Sequence, residues 1–197
     1  EYNDIASVKA FFTQYGQQIA AVMIEVVQGE GGINLASADY LQQLQALCHE
    51  YSALLIADEV QCGNGRCGKY FAYQRFDLIP DVVTTAKGLG NGVPIGACLA
   101  RGSAAKTLSP GTHGSTFGGN PLASVVALAV VDIIEGQQLA QRAADLGQSM
   151  LDSLAFQLKS HSAVKDIRGC GLMIGIELDR NCTVLVTDEL AIGLLIN

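Results

Sequence analysis

Charge is scarce in this sequence: only 16% of its 197 residues are Asp, Glu, Lys or Arg, against 49% apolar, and tryptophan is absent. A chain so balanced buries a core, which excludes disorder, and four prolines beside 22 glycines exclude a collagen-like repeat. Basic residues are few. The 12 Lys and Arg stand against 19 Asp and Glu, a net charge of −7, and no basic run offers a footprint for phosphate backbones, so nucleic-acid binding is not expected. Long apolar runs are missing too. The longest, Leu122 to Ile134, is interrupted by Ser124 and Asp132 and falls short of the roughly 20 residues that a membrane helix needs. No basic-then-apolar leader opens the chain, and six cysteines in this length do not make a disulfide framework, so the expected setting is reducing and cytoplasmic. Neither the three histidines, His49, His113 and His161, nor the pair Cys62 and Cys67 shows metal-ligand spacing. The chain also starts without Met and stops on Leu194-Leu195-Ile196-Asn197, an apolar run like a strand just beginning, which suggests a piece of something longer.

What is present reads as strand, helix, strand. Ala20 to Val27 is a nearly continuous apolar run closed by Gln28-Gly29-Glu30-Gly31-Gly32, the pattern of a buried strand ending in a loop. Leu41, Leu44, Leu47 with Cys48, and Tyr51 then recur at helical spacing, with Ser37 placed to cap that helix. Ala53 to Val60 is a second buried strand, ending in Asp58-Glu59. Asp81 to Ala86 is a third, ending at Lys87 and a glycine loop, and Ile95 to Ala100 is a candidate fourth. Such alternation predicts an α/β fold with a mostly parallel sheet flanked by helices, in which ligands lie beyond the carboxyl ends of the strands. Glu30, Asp58 and Lys87 all stand at or just past such ends.

After the loop Gly111 to Pro121, the run Leu122 to Ile134 is apolar nearly all round, as a buried helix is. A second helix carries the stripe Leu139, Ala143, Leu146, Met150, Leu154, Leu158. Val164 to Leu178 has strand character broken by glycines, followed by a helix candidate over Val184 to Ile192. A boundary is expected near Glu135, with 1–135 forming part of a large domain and 136–197 a linking helix and part of a smaller α+β domain.

Burial disfavours the charged form of an amine, which is how a lysine becomes a nucleophile toward an aldehyde, and a lysine at a buried strand end fits that use. Lys87 stands there, among Gly88, Gly90 and Gly92. A lysine that merely reaches solvent is the plainer alternative. Asp58, an acid at the end of the neighbouring apolar run, suits a partner for a protonated ring nitrogen, while a turn or cap is its plainer use; Glu59 is expected to turn away. Gly63-Asn64-Gly65-Arg66-Cys67-Gly68 spells a dinucleotide fingerprint, but no apolar-periodic helix opens at Gly68 and carboxylates occupy the strand end, so that reading is rejected. The loop holding His113, Ser115 and Thr116 has hydroxyls and backbone N–H groups fit for an anion such as phosphate, or is simply a surface loop.

These residues, in this order, resemble the class III aminotransferases that use pyridoxal phosphate, and within them the acetylornithine branch. The resemblance rests on Glu25-Val26-Val27-Gln28-Gly29-Glu30-Gly31-Gly32, Asp58-Glu59-Val60-Gln61 with Gly65-Arg66-Cys67-Gly68, and Ala86-Lys87-Gly88-Leu89-Gly90-Asn91-Gly92. It continues through His113-Gly114-Ser115-Thr116-Phe117-Gly118-Gly119-Asn120-Pro121 and Ile167-Arg168-Gly169-Cys170-Gly171-Leu172. It implies the large domain of a fold-type-I transferase and a role for each matching position. Lys87 would bind the cofactor covalently and shuttle a proton, Asp58 would pair with the ring nitrogen, and Gln61 would stand near the ring hydroxyl. Ser115 and Thr116 would reach the cofactor phosphate of the neighbouring subunit in a homodimer. Glu30 would gate the site between the amino donor, N-acetylornithine, and the acceptor 2-oxoglutarate. Succinylornithine, ornithine and 4-aminobutyrate are the alternative donors, and a non-catalytic dimerisation or binding module is the alternative role. Val26 stands where the family usually has Pro, and Cys67 where it usually has Thr. The resemblance also implies a glycine-rich phosphate loop and a ring-stacking aromatic before Glu1, and a carboxylate-binding arginine after Asn197, so the 197 residues alone are expected to be inactive.

Overall fold

The computed structural model describes residues 1–182 together with 185 and 196. The first helix, α1 (Ile5–Tyr15), is capped by Asp4, whose Oδ1 accepts from the backbone N–H groups of Ala6 and Ser7 at 3.0 and 3.1 Å. It leads into strand β1 (Ala21–Ile24) and a small antiparallel ribbon, β2 (Val27–Gln28) with β3 (Asn34–Leu35). The predicted strand over 20–27 is therefore two elements. Val26 and Val27 are buried and apolar, but they serve the core outside the main sheet.

Helix α2 (Ala38–Glu50) begins as the sequence predicts, with Ser37 Oγ accepting from the Tyr40 N–H at 3.2 Å. Its buried stripe of Tyr40, Leu41, Leu44 and Cys48 packs with Phe12 of α1 against Leu55 of the next strand, β4 (Leu54–Asp58). Strands β5 (Val82–Thr85) and β6 (Ala97–Ala100) complete a four-stranded sheet of order β1-β4-β5-β6, its first three strands parallel and β6 antiparallel to β5. Among the described residues only one face of that sheet is covered. Leu55, Ala57 and Val83 are buried, whereas Met23 on the other face is 57% exposed, so near-continuous apolar strands here do not have cover on both sides.

Helix α3 (Pro121–Gly136) is entered through Asn120, whose Oδ1 accepts from the Ala123 N–H at 3.0 Å. The sequence predicts a helix buried all round, and the structure corrects this: Ala123, Ala127 and Ile134 are buried, while Leu122, Val125 and Leu128 are exposed. Two alanines and Ile134 face the protein, and several of the large apolar residues face outward. After a bend of 61°, α4 (Leu139–Leu158) runs against an antiparallel hairpin, β7 (Val164–Cys170) and β8 (Met173–Leu178). Its inward face follows the predicted stripe only in part: Ala143 is buried and Leu139, Leu154 and Leu158 are half-buried, but Leu146 and Met150 are exposed and Gly147, outside the stripe, is buried. The helix has rolled to place its smallest residues on the turn of the hairpin, where a side chain at Gly147 would lie 1.9 Å from the carbonyl oxygen of Gly171.

The helix candidate over Val184 to Ile192 and the terminal run Leu194 to Asn197 fall largely outside the described residues. No single helix among the described residues is long and apolar enough to cross a membrane.

Candidate functional site

The parallel register sets Asp58, the last residue of β4, beside Thr84 of β5. Side chains alternate along a strand, so both lie on the sheet face opposite Leu55, Ala57 and Val83. Asp58 Oδ1 accepts from the Val60 N–H at 3.0 Å and from Thr84 Oγ1 at 3.2 Å, which fixes the carboxylate plane. Among the described residues Oδ2 accepts no hydrogen bond, leaving one oxygen for a donor from outside.

Three residues beyond Thr84 comes Lys87, at the start of a 3-10 turn (Lys87–Leu89) and with φ +44°. A lysine in the left-handed region costs about 1–3 kcal/mol and persists where its surroundings hold it. Here the Gly90 N–H donates to the Lys87 carbonyl at 3.1 Å, and Asn64 Nδ2 donates to the Ala86 carbonyl at 3.2 Å and to Thr85 Oγ1 at 3.0 Å. Lys87 Nζ donates to Gln61 Oε1 at 2.9 Å. The amine is exposed, which corrects the expectation of a buried lysine: β5 ends two residues earlier and the turn carries the side chain beyond the sheet.

Gln61 is also the point where the Glu30 loop arrives. A Cβ at Gly29 would lie 2.4 Å from Cδ of Gln61, so any larger residue there would push that amide aside. Glu30 follows at the exposed tip of the β2–β3 ribbon, and among the described residues its carboxylate has neither a hydrogen bond nor an ion pair. Asp58, Lys87, Gln61 and the Glu30 loop are thus linked around two strand ends. Ser115 and Thr116 are not part of this group: they sit in the exposed loop 111–119, where Ser115 Oγ accepts from the Gly118 N–H at 3.1 Å. Asp58, with Glu25 and Gln28, also borders a cavity of about 370 Å³, whose lining does not include Lys87.

Glu59 turns away from Asp58, as alternation predicts, and is fully buried. Its Oε1 and Oε2 accept from the Tyr73 and Ala72 N–H groups, each at 2.8 Å, and Cys62 Sγ donates to Oε2 at 3.3 Å, so it caps the 3-10 turn Ala72–Phe76. Burial pushes its carboxyl above the usual range, against the pull of the two N–H donors. Its work is structural. The glycine motif 63–68 is a run of turns with no helix opening at Gly68, and no His, Cys, Asp or Glu group among the described residues could hold a metal ion.

Three participants escape sequence reasoning. Thr84 is one of several β-branched strand residues, and only the register gives it to Asp58. Asn64 carries a weak signal, being an Asn between glycines, a residue type that tolerates the φ of +54° found there. Arg168, which grips the Glu30 hairpin from 136 positions away, has none beyond its place in the Ile167-Arg168-Gly169 stretch.

The sequence model of the class-III aminotransferase family matches residues 2–197. The chain belongs to the class-III aminotransferases. It is 47% identical over 196 residues to the acetylornithine aminotransferase of Nitrosomonas europaea, covering 100% of this chain and 50% of that protein. An ornithine aminotransferase of Toxoplasma gondii, with PLP at partial occupancy in its active site, overlays with a TM-score of 0.94 at 36% identity, covering 100% of this chain and 47% of its own. The acetylornithine aminotransferase of Elizabethkingia anophelis overlays at 0.92 and 36% identity, with 98% of this chain and 50% of its own covered. This class-III chain therefore spans about half the length of the curated relatives it matches.

Proposed function

We propose that the protein acts as a pyridoxal-phosphate-dependent transaminase, moving the δ-amino group of N-acetylornithine to 2-oxoglutarate and giving N-acetylglutamate 5-semialdehyde and glutamate, a step of arginine biosynthesis. The observation that carries this reading is the pair of strand ends: an amine at Lys87 bonded to Gln61, and one strand away a carboxylate at Asp58 with one oxygen fixed and the other open. That donor set fits the cofactor, offering an amine for its aldehyde and an anion for its ring nitrogen. When bound, the cofactor supplies an electron-withdrawing ring that stabilises negative charge at the substrate carbon.

In this reading Lys87 would hold the cofactor through its aldehyde and, as a free amine, would carry a proton at Nζ to or from the substrate carbon, with Gln61 Oε1 orienting the amine. Asp58 would pair with the ring nitrogen, and Thr84 and the Val60 N–H hold that carboxylate in place. Glu30, whose carboxylate is unpaired among the described residues, gates the site between amino donor and 2-oxoglutarate. Ser115 and Thr116 serve the phosphate of a neighbouring subunit, which their exposed loop, remote in bonding from Lys87, supports. A homodimer goes with this assignment, a cytoplasmic setting is part of the same proposal, and the exposed Leu122, Val125 and Leu128 beside that loop support such an interface. Residues 1–135 then belong to the cofactor-binding domain and 136–197 to the linking helix and small domain, and the activity belongs to a chain of the relatives' length, 197 residues alone being inactive.

Ornithine as donor is the second reading, favoured by the overlay with the ornithine aminotransferase of Toxoplasma gondii. Initial rates with N-acetylornithine, succinylornithine, ornithine and 4-aminobutyrate decide the matter. The expected order puts N-acetylornithine first, and a preference for 4-aminobutyrate overturns the assignment to arginine biosynthesis.

A further inference from the structure

Arg168 of β7 turns two of its three guanidinium nitrogens, Nε and Nη2, onto the ribbon that carries Glu30. Its Nε donates to the carbonyls of Gly32 and Ile33, each at 3.1 Å, and Nη2 donates to Gly32 at 2.7 Å. The remaining nitrogen, Nη1, is held by Asp166 at 2.8 Å and Glu177 at 2.7 Å. Those two acids are about half exposed (53% and 49%), and ion pairs so placed add little stability. Their effect is to aim a planar fork at two carbonyls.

The carbonyls it grips belong to the two residues that make the turn unusual. Gly32 has φ +104° and Ile33 φ +55°, and a β-branched residue in the left-handed region is an outlier that needs external support. The ribbon's own bonds, from the Gly32 and Ile33 N–H groups to the Gly29 carbonyl at 3.1 and 3.3 Å, close the turn, and the β7–β8 hairpin supports it from outside. Gly175 is the cross-strand partner of Arg168, and a Cβ there would come within 3.2 Å of Ile33 Cβ, so arginine and glycine meet the same turn from adjacent points of the β7–β8 hairpin. Glu30 lies two residues before Gly32 and has no hydrogen bond or ion pair among the described residues to place it. Its position is set by the turn alone.

We infer that Arg168 is the positioning residue of the Glu30 gate: it fixes, from the far end of the chain, where the carboxylate that separates the two half-reactions stands. This rests on the role of Glu30 proposed above. Arg168 touches no reacting group, so its influence passes through Glu30 and falls unequally on the two halves of the reaction.

The test measures both half-reactions of the full-length holoenzyme in single turnovers, by cofactor absorbance, with N-acetylornithine on one side and 2-oxoglutarate on the other. The readout is the ratio of the two kcat/KM values. Glu30→Gln is expected to shift that ratio, and Arg168→Gln to shift it the same way by about tenfold or more, the scale of a small misplacement of a positioned group. The double variant should move no further than Glu30→Gln, because residues acting as one unit are non-additive. Gly175→Ala displaces Ile33 with the arginine intact and should shift the ratio in the same sense, which keeps the test open if Arg168→Gln folds poorly. Equal losses in both half-reactions for the Arg168 and Gly175 variants, or no loss, with Glu30→Gln still shifting the ratio, would overturn the inference and leave the gate standing. If Glu30→Gln leaves the ratio unchanged, the gate falls and the inference with it.

Discussion

Gly147 lies in the interior of α4, where alanine ordinarily stabilises a helix by about 1 kcal/mol. The structure reverses that sign. A Cβ at this position would stand 1.9 Å from the Gly171 carbonyl oxygen, 2.4 Å from its carbon and 2.8 Å from its Cα, all backbone atoms that no rotamer change can move. Restoring ordinary contact requires α4 to retreat by roughly 1.5 Å, which loosens the packing of Ala143, Cys170 and Met173 at the same seam. Overpacking of this kind costs about 1–3 kcal/mol, and with rigid backbone on one side the upper end applies. Subtracting the propensity gain leaves Gly147→Ala less stable by about 2 kcal/mol, or about 4–8 °C in melting temperature for a chain of this size. Gly136→Ala supplies the control, because nothing lies within 4 Å of its Cβ position. It should gain about 0.5–1 kcal/mol. Thermal and urea unfolding of both variants reads the difference directly. A Gly147 variant as stable as the Gly136 variant would refute the packing described here.

Asn64→Ala removes the two hydrogen bonds that hold the backbone before Lys87 and should lower kcat about tenfold while costing about 1–2 kcal/mol of stability. Asn64→Gly, which accepts the positive φ, should recover part of that stability and none of the kcat, as unfolding and steady-state assays would show. Asp58→Asn should slow turnover by about 10²–10³-fold with little change in stability, because the bonds from Val60 and Thr84 can still reach the amide oxygen. Burial holds the Glu59 carboxyl above the ordinary range, so between the unfolded value of about 4.3 and its raised folded value the native state binds the extra proton, and stability falls as pH rises through that window. Glu59→Gln removes this dependence, and urea midpoints should show its cost shrinking from about pH 4 toward pH 7. A cost that grows toward neutral pH would contradict it.

The parallel sheet is legible because its strands are short apolar runs between turns, and their ends are legible because a carboxylate and a lysine interrupt apolarity abruptly. Apolarity reports burial, however, and not hydrogen bonding: Val26 and Val27 continue the run of β1 yet leave its sheet. Helix α1 goes unread because Phe12 is its only fully buried residue, while Phe11 and Tyr15 pair on the surface with ring centroids 4.8 Å apart. The inward face of α4 is misread for a related reason. Hydrophobic size selects Leu146 and Met150, whereas the turn at Gly171 selects the smallest residues. At the site, motif order brings Asp58, Gln61 and Lys87 together, but the backbone of Lys87 and the reach of Arg168 to Gly32 depend on contacts that spacing does not encode.

The proposed function requires Lys87 to carry the cofactor. Reducing the protein, incubated with pyridoxal phosphate, with borohydride and mapping its peptides by mass tests this most directly. One pyridoxyl phosphate mass is expected on the peptide containing Lys87 and none in Lys87→Ala. A stable adduct confined to another lysine, or none on a full-length chain, would contradict it.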